Sequence, residues 1–394
     1  MLLEEKLRNK SLELCETFPW YRELLNEGDG EYPLITGEIL DKNYYNKDMN
    51  GDYGVYRTSG TSSNNRKKIF YSMEDEEAYL RVKSKVFEDV IKDTGIKRAI
   101  SDMGTGHAEK TAQLIFDRLN LVGKTISFEL PIMQHVEKMK EFKPQLLYIM
   151  PSILDSIIAA ADDVLEFGVE KIVLVGEVAS TEWIKRIAEK FSIKVEDIID
   201  TYGSIEMGVI ASYNHDLGRY VIHDGYFGKI VDAKEIGLES DSIKDDEGIL
   251  VITCFHRKTF PALNFVTYDV VKDFKTVEID GKKYQTFKNI VKRVGKELKH
   301  GEKISIYDIE NAVFKHLTEA QIRVTVKNNR LVIYILSNEL TDLLLEPIKK
   351  SIHEAIPEIG EMIKNGILEE IQVINASKDM MPEENSKKKK KLYY

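Results

Sequence analysis

Cysteine is scarce in this chain: 394 residues hold two, Cys15 and Cys254. Two thiols make no disulfide scaffold, and neither has metal-ligand spacing. Long apolar runs are missing as well. No stretch of about 18 apolar residues exists. The nearest approach, Leu146 to Leu165, is interrupted by Asp155, Asp162 and Asp163. That stretch reads as a buried helix after Pro151. The N-terminus, MLLEEKLRNK, lacks the charged-then-apolar order of a secretory signal. Net positive charge is lacking too. The formal net charge of −10 argues against a general nucleic-acid binder. No repeat is evident, and the one low-complexity segment is Lys387 to Lys391. The expectation is a cytoplasmic protein with no membrane or nucleic-acid partner.

What is present is ample material for a core. The chain is 43% hydrophobic and 31% charged, enough for one large domain and a small one. Residues 1–27 are helix-like, and 28–56 are loop-rich. A long helix is expected from Met73 to Val90, where Tyr79, Val82, Val86 and Val90 recur at helical spacing. From about 98 to 233, short apolar runs such as Ile172 to Val175 alternate with helical stretches such as Thr181 to Phe191. That alternation predicts an α/β fold with a largely parallel sheet. Residues 226–290 read instead as strands and turns, a small barrel-like subdomain. A boundary falls near Arg293 to Lys296, giving domains 1–292 and 293–394. The second reads as a compact α+β set. Its helices are expected at Ile306 to Leu317 and Asp342 to Ala355, and its strands at Ala320 to Val326, Arg330 to Leu336 and Gly366 to Ile374.

Three segments stand out for chemistry. The first is TSGTSSNNRKK, Thr58 to Lys68. Backbone N–H groups, hydroxyls and the cations Arg66, Lys67 and Lys68 can fold around a polyphosphate. The loop does not fit G-x-x-x-x-G-K-[ST], so it is not the usual nucleotide-hydrolase loop. The second is DTYGSIE, Asp200 to Glu206, and the third is FVTYDVV, Phe265 to Val271. Each also has a plain reading: a solvated turn, a helix-capping glutamate, a turn carboxylate.

In this order and at these separations, the segments resemble the adenylate-forming superfamily of acyl-CoA synthetases, peptide-synthetase adenylation domains and luciferases. Its first motif is roughly [ST]-S-G-[ST]-[ST]-G-x-P-K, against Thr58 to Arg66 here. Its second is Y-G-x-T/S-E, against Tyr202 to Glu206, and its third ends on an Asp, here Asp269. Gly176-Glu177-Val178-Ala179-Ser180 resembles its G-E-x-L-S loop. The segments Pro33 to Leu40, Met150 to Ser152 and Gly248 to Asp269 look closest to the phenylacetate–CoA ligase branch. The resemblance spans about residues 15 to 394. It departs at Ser63 and Asn65, where Gly and Pro are usual, and at Asn264, where that branch has Arg.

The resemblance implies a large N-terminal domain of mixed and parallel sheets flanked by helices, a barrel-like subdomain and a small mobile C-terminal lid. It implies ATP, Mg2+ and coenzyme A or phosphopantetheine as cofactors, with a small carboxylic acid as substrate. Thr58, Ser59, Gly60, Thr61 and Ser62, with Arg66 or Lys67, would contact the β- and γ-phosphates. Gly176, Glu177 and Val178 would border the adenine, Tyr202 would lie along it, and Asp200, Thr201, Gly203 and Ser204 would also bind the nucleotide. Asp269 would take the ribose hydroxyls, Arg293 matches the family arginine, and Glu206 would bind the magnesium. His107 and Gly203 would line the acid pocket. Gly295 would be the lid hinge, since glycine tolerates large changes of φ and ψ. Lys387, at the spacing of the family's terminal P-x-x-x-x-G-K, would bridge the α-phosphate and the attacking carboxylate. Lys388 could substitute, and a like-charge block also suits a solvated tail.

The expected activity is acyl-adenylate formation followed by transfer to a thiol, first of all coenzyme A. Transfer to a carrier protein, a protein cysteine or an amine remains open, as do a homodimer and a degenerate member that only binds nucleotide.

Overall fold

The computed structural model of the chain describes residues 2–28, 31–57, 67–103, 107–127, 130–238, 243–294, 306–327, 330–364, 369–381 and 392–393. The chain divides into two compact units. One holds Met1–Gly95, Leu114–Asn120 and Thr201–Glu297; the other holds Ile96–Gln113, Leu121–Asp200 and Leu298–Tyr394. Among the described residues, no helix is long and apolar enough to cross a membrane.

The first unit opens with helices Leu3–Thr17, Pro19–Glu27 and Gly37–Asn43. A hairpin pairs Gly54–Arg57 antiparallel with Lys68–Tyr71, and the long helix Met73–Ile91 follows. That helix starts where its sequence says it should. Ser72 Oγ accepts from Asp75 N at 3.1 Å, and Asp75 accepts from Ser72 N at 3.2 Å, closing a capping box. Leu80, Val86, Phe87 and Val90 then bury one face. A four-stranded antiparallel sheet runs in the order Tyr226–Val231, Glu247–Cys254, Phe265–Lys272, Asn289–Arg293. Val231, Ile249, Val251, Val266 and Val270 fill the core beneath it. Strands Gly208–Asn214, Arg219–Ile222, Lys282–Phe287 and Lys275–Ile279 extend antiparallel from the end of Ile198–Ser204. The expected β-rich subdomain is thus present.

The second unit contains the parallel sheet. Its strands run Val122–Thr125, Arg98–Asp102, Leu146–Ile149, Lys171–Leu174 and the start of Ile198–Ser204. Leu146 to Ile149 are all buried, the pattern of a strand covered on both faces. The buried helix expected after Pro151 is present as Pro151–Ala160, with this strand before it and a 3₁₀ turn over Val164–Phe167 after it. Proline suits the first helical turn, where its missing N–H costs nothing. Phe167, Ile172, Leu174, Trp183 and Ile187 anchor this core.

The last hundred residues form an α+β set, as their pattern predicts. Strands Glu369–Asn375, Arg330–Leu336 and Gln321–Lys327 lie in that order beside helices Ile306–Phe314 and Asp342–Ala355. Helix Pro357–Lys364 and the two-residue strand Leu392–Tyr393, paired parallel with Val324–Thr325, were not expected. Both are short and lack a periodic pattern long enough to detect.

Candidate active site

Several expected site residues fall outside the described residues: Thr58, Ser59, Gly60, Thr61, Ser62, Arg66, Gly295 and Lys387. His107 opens the helix His107–Arg118. The others sort between the two units.

In the first unit the second and third motifs meet. Strand register sets Asp269 opposite Arg293. Tyr202 Oη donates to Asp269 Oδ2 at 2.7 Å, and Arg293 Nη1 lies 3.8 Å from Asp269 Oδ1. Burial, and then the Asp269 charge, push the Tyr202 phenol well above its ordinary pKa, so it stays a donor. Its ring meets Phe287 edge-on at 5.8 Å. The residue before Asp269 is held unusually. Tyr268 has φ +63°, a left-handed conformation rare for an aromatic residue, and its hydroxyl accepts from Gly37 N at 2.9 Å. Gly203 is dictated by sterics. A Cβ there would stand 2.2 Å from the Gly208 carbonyl oxygen across a bulge in the strand pair.

Glu206 follows on the turn after this strand. Its carboxylate is half-buried and makes no hydrogen bond or ion pair among the described residues, while its charge reaches Arg293 and Tyr45. Such a carboxylate fits a magnesium ion whose remaining ligands are phosphate oxygens and water. Among the described residues, no group of three or more His, Cys, Asp or Glu side chains gathers as a metal site. Lys67 lies 4.7 Å over the Tyr45 ring. Asn264, read as a missing positive charge, has a structural task. It takes φ +55°, and its amide donates to Tyr32 O at 2.8 Å.

In the second unit, Gly176 to Val178 leave the carboxyl end of strand Lys171–Leu174, where parallel sheets take ligands. Gly176 has φ +79°. Glu177 turns onto the start of helix Pro151–Ala160, accepting from Ser152 N at 2.8 Å and Ser152 Oγ at 2.9 Å. An acidic group at a helix N-terminus is favoured by the dipole and the free N–H groups there. The Met150-Pro151-Ser152 and Gly176-Glu177 motifs are thus one hydrogen-bonded piece. Asp200 is buried at the end of this unit and Thr201 is buried at the start of the next segment of the other.

The chain is 36% identical over 368 residues to a fumarate–(S)-2,3-diaminopropanoate ligase from Enterobacter agglomerans, covering 91% of this chain and 92% of that one. It belongs to the family of that ligase. The family model of the fumarate–diaminopropanoate ligase C-terminal domain matches residues 299–379 of this ligase. Its fold is similar to 2-hydroxyisobutyryl-CoA ligase in the postadenylation state, with TM-score 0.76 and 14% identity, covering 98% of this chain and 88% of that one. It is also similar to ATP-bound MatB from Rhodopseudomonas palustris, with TM-score 0.53 and 13% identity, covering 84% and 65%. The chain thus shares the fold of adenylate-forming ligases, and these comparisons do not reach the phenylacetate–CoA ligase branch.

Two residues of this ligase escaped the sequence reading. Tyr45 lies under Lys67, within reach of the Glu206 and Arg293 charges. Arg257 is buried and pairs with buried Asp75, 182 residues away. Neither sits in a recognisable motif, and a partner so distant in sequence leaves no local signal.

Proposed function

We propose that this ligase activates a small carboxylic acid with ATP, forming an acyl-adenylate and pyrophosphate, and then passes the acyl group to an amine. The observation that supports it is the 36% identity, over 91% of the chain, to an enzyme named for joining fumarate to (S)-2,3-diaminopropanoate. An amine acceptor is therefore preferred to coenzyme A or a carrier thiol.

The chemistry asks for positioning and charge neutralisation more than for covalent help. Asp269 keeps lone pairs beyond the one taken by Tyr202, and these accept the ribose hydroxyls. Arg293, beside it and largely exposed, offers a cation to the phosphate. Thr58 to Ser62, with Arg66 and Lys67, cradle the β- and γ-phosphates. Gly176 to Val178, with Glu177 tied back to Ser152, border the adenine, and His107 and Gly203 border the acid. Magnesium held by Glu206 would neutralise charge on the departing pyrophosphate. Residues 293–394 act as the lid, turning about Gly295 and bringing Lys387 to the reacting phosphate.

The test is ATP–pyrophosphate exchange across mono- and dicarboxylic acids, followed by mass spectrometry of products with amino-acid amines or coenzyme A. An acid-dependent exchange and an amide product are expected. A thioester without amide would overturn the amine acceptor. Absence of exchange with every acid would leave a nucleotide-binding member without ligase activity on these substrates.

A further inference from the structure

Three consecutive carbonyl oxygens around Glu206 are each taken by a side chain from another segment of the same unit. Tyr71 Oη donates to Ile205 O at 2.7 Å, Arg257 Nε to Glu206 O at 3.0 Å, and Tyr226 Oη to Met207 O at 2.7 Å. Turn carbonyls ordinarily face water, which leaves a turn free to shift. Here each of the three is held by a side-chain donor instead.

The frame is built at some cost. Arg257 is buried, and a buried guanidinium must be paired and fully hydrogen-bonded to be tolerated. It meets that demand with Asp75, with Phe70 O at 2.9 Å and with Thr259 Oγ1 at 3.0 Å, its guanidinium 3.7 Å over the Tyr71 ring. Phe70 and Tyr71 belong to Lys68–Tyr71, the strand that leaves the phosphate-loop segment. One cation therefore grips the Glu206 backbone and the strand after that loop. Burial raises the pKa of the Tyr71 and Tyr226 phenols, so both remain protonated donors. The backbone of Glu206 is thus fixed while its carboxylate is left unengaged among the described residues.

We propose that Tyr71, Arg257 and Tyr226 are positioning residues that hold the Ile205–Met207 turn so that the Glu206 carboxylate meets a nucleotide-bound divalent cation without reorganising. This rests on the reading of Glu206 as the metal's carboxylate. Preorganisation of this kind is what a supporting shell contributes to a metal ligand.

The experiment uses the full chain with a non-hydrolysable ATP analogue and Mn2+, read as loss of the free Mn2+ electron paramagnetic resonance signal. Nucleotide affinity in EDTA and the melting temperature are measured beside it. Tyr71→Phe and Tyr226→Phe each delete one hydroxyl at nearly constant shape. Arg257→Lys keeps the charge but loses the fork. Each should weaken Mn2+ binding about threefold to tenfold, with metal-free nucleotide affinity within about twofold of wild type. Glu206→Gln should weaken it more than any of them. If Glu206→Gln weakens Mn2+ while folded Tyr71→Phe and Tyr226→Phe bind it normally, the positioning role is wrong and the metal reading stands. If Glu206→Gln binds Mn2+ normally, the metal reading falls and takes this proposal with it. Equal losses with and without metal would mark the frame as merely structural and overturn the proposal.

Discussion

The Asp269–Glu206 region and the Gly176–Val178 region are held by opposite means. The first is framed by charge and phenols out of water: Arg257 with Asp75, Tyr202 with Asp269, Tyr71 on a turn carbonyl. The second is framed by backbone. A loop leaves the end of a parallel strand and is tied by one carboxylate to a helix N-terminus. The two should fail differently. Removing one partner from the first strands a charge in a poorly solvated place, whereas removing one from the second leaves groups that water can satisfy.

The largest effect is expected from Arg257→Met. It leaves Asp75 buried and unpaired, which costs about 3–5 kcal/mol. Urea unfolding should show it, and Asp75→Asn added to Arg257→Met should recover more than half. Burial opposes ionisation of Asp75, but Arg257, Thr259 and the Lys258 backbone outweigh it and hold its carboxyl below the ordinary 3.8. A depressed carboxyl stabilises the fold above its unfolded pKa and loses that contribution as pH falls through the folded one. Wild type should therefore lose stability below about pH 4 more steeply than the double variant. A single variant costing under about 1 kcal/mol would erase the contrast between the regions.

This contrast also explains what the sequence could reveal. The strand-end region was legible because its parts are local: Gly176-Glu177 follows an apolar run, and Met150-Pro151-Ser152 opens a helix. Their hydrogen bond was not legible, though both motifs were. Asp269 and Glu206 stood out by motif, but the residues that fix them did not. Arg257 and Tyr71 lie in ordinary stretches, and only the folded chain brings them to Glu206. The fold class followed from alternation of period. The helix after Pro151 was legible, but the strand Leu146–Ile149 before it was not, because a four-residue buried strand next to a helix has no periodicity of its own.

Second in size is Asp269→Asn. The amide oxygen can still accept from Tyr202, so the fold should hold. The lost charge removes a charge-assisted contact of about 1.5–3 kcal/mol, roughly tenfold to a hundredfold in ATP affinity by calorimetry. Tyr202→Phe should cost less, since Asp269 then turns to water or Arg293. The reverse order would show that the Tyr202 hydroxyl, and not the carboxylate, meets the nucleotide.

Third is Ser152→Ala, in the backbone-framed region. It removes one of two donors to Glu177 and keeps the other, Ser152 N. A loss of about 0.5–1.5 kcal/mol is expected in unfolding free energy, with a few-fold rise in the ATP concentration needed for half-maximal exchange. A loss as large as that of Arg257→Met would mean the second region also depends on a stranded charge.

The smallest effect tests a buried ionic pair at a strand end of the second unit. Asp102, at the end of strand Arg98–Asp102, accepts from His135 Nδ1 at 2.7 Å, and His135 Nε2 faces Leu130 O at 3.2 Å. Both ring nitrogens meet acceptors, as an imidazolium requires. Burial works against that charge, but Asp102 and then the Leu130 carbonyl outweigh it and raise His135 above its ordinary 6.5. Burial raises the Asp102 carboxyl, with His135 pulling the other way. Both raised values mean the folded state binds more protons than the unfolded one. The pair's contribution is therefore lost as pH rises: the Asp102 part above about pH 4, and the His135 part from about 6.5 through its folded value. Unfolding free energies between pH 6 and 9 should decline in wild type more than in His135→Asn, which has no imidazole to titrate. Since the two groups share a proton, the decline belongs to the pair, and Asp102→Asn should flatten it as well. A wild-type slope no steeper than that of His135→Asn would show that folding does not raise the imidazole's pKa, and the pair would drop out of the comparison as a charged element.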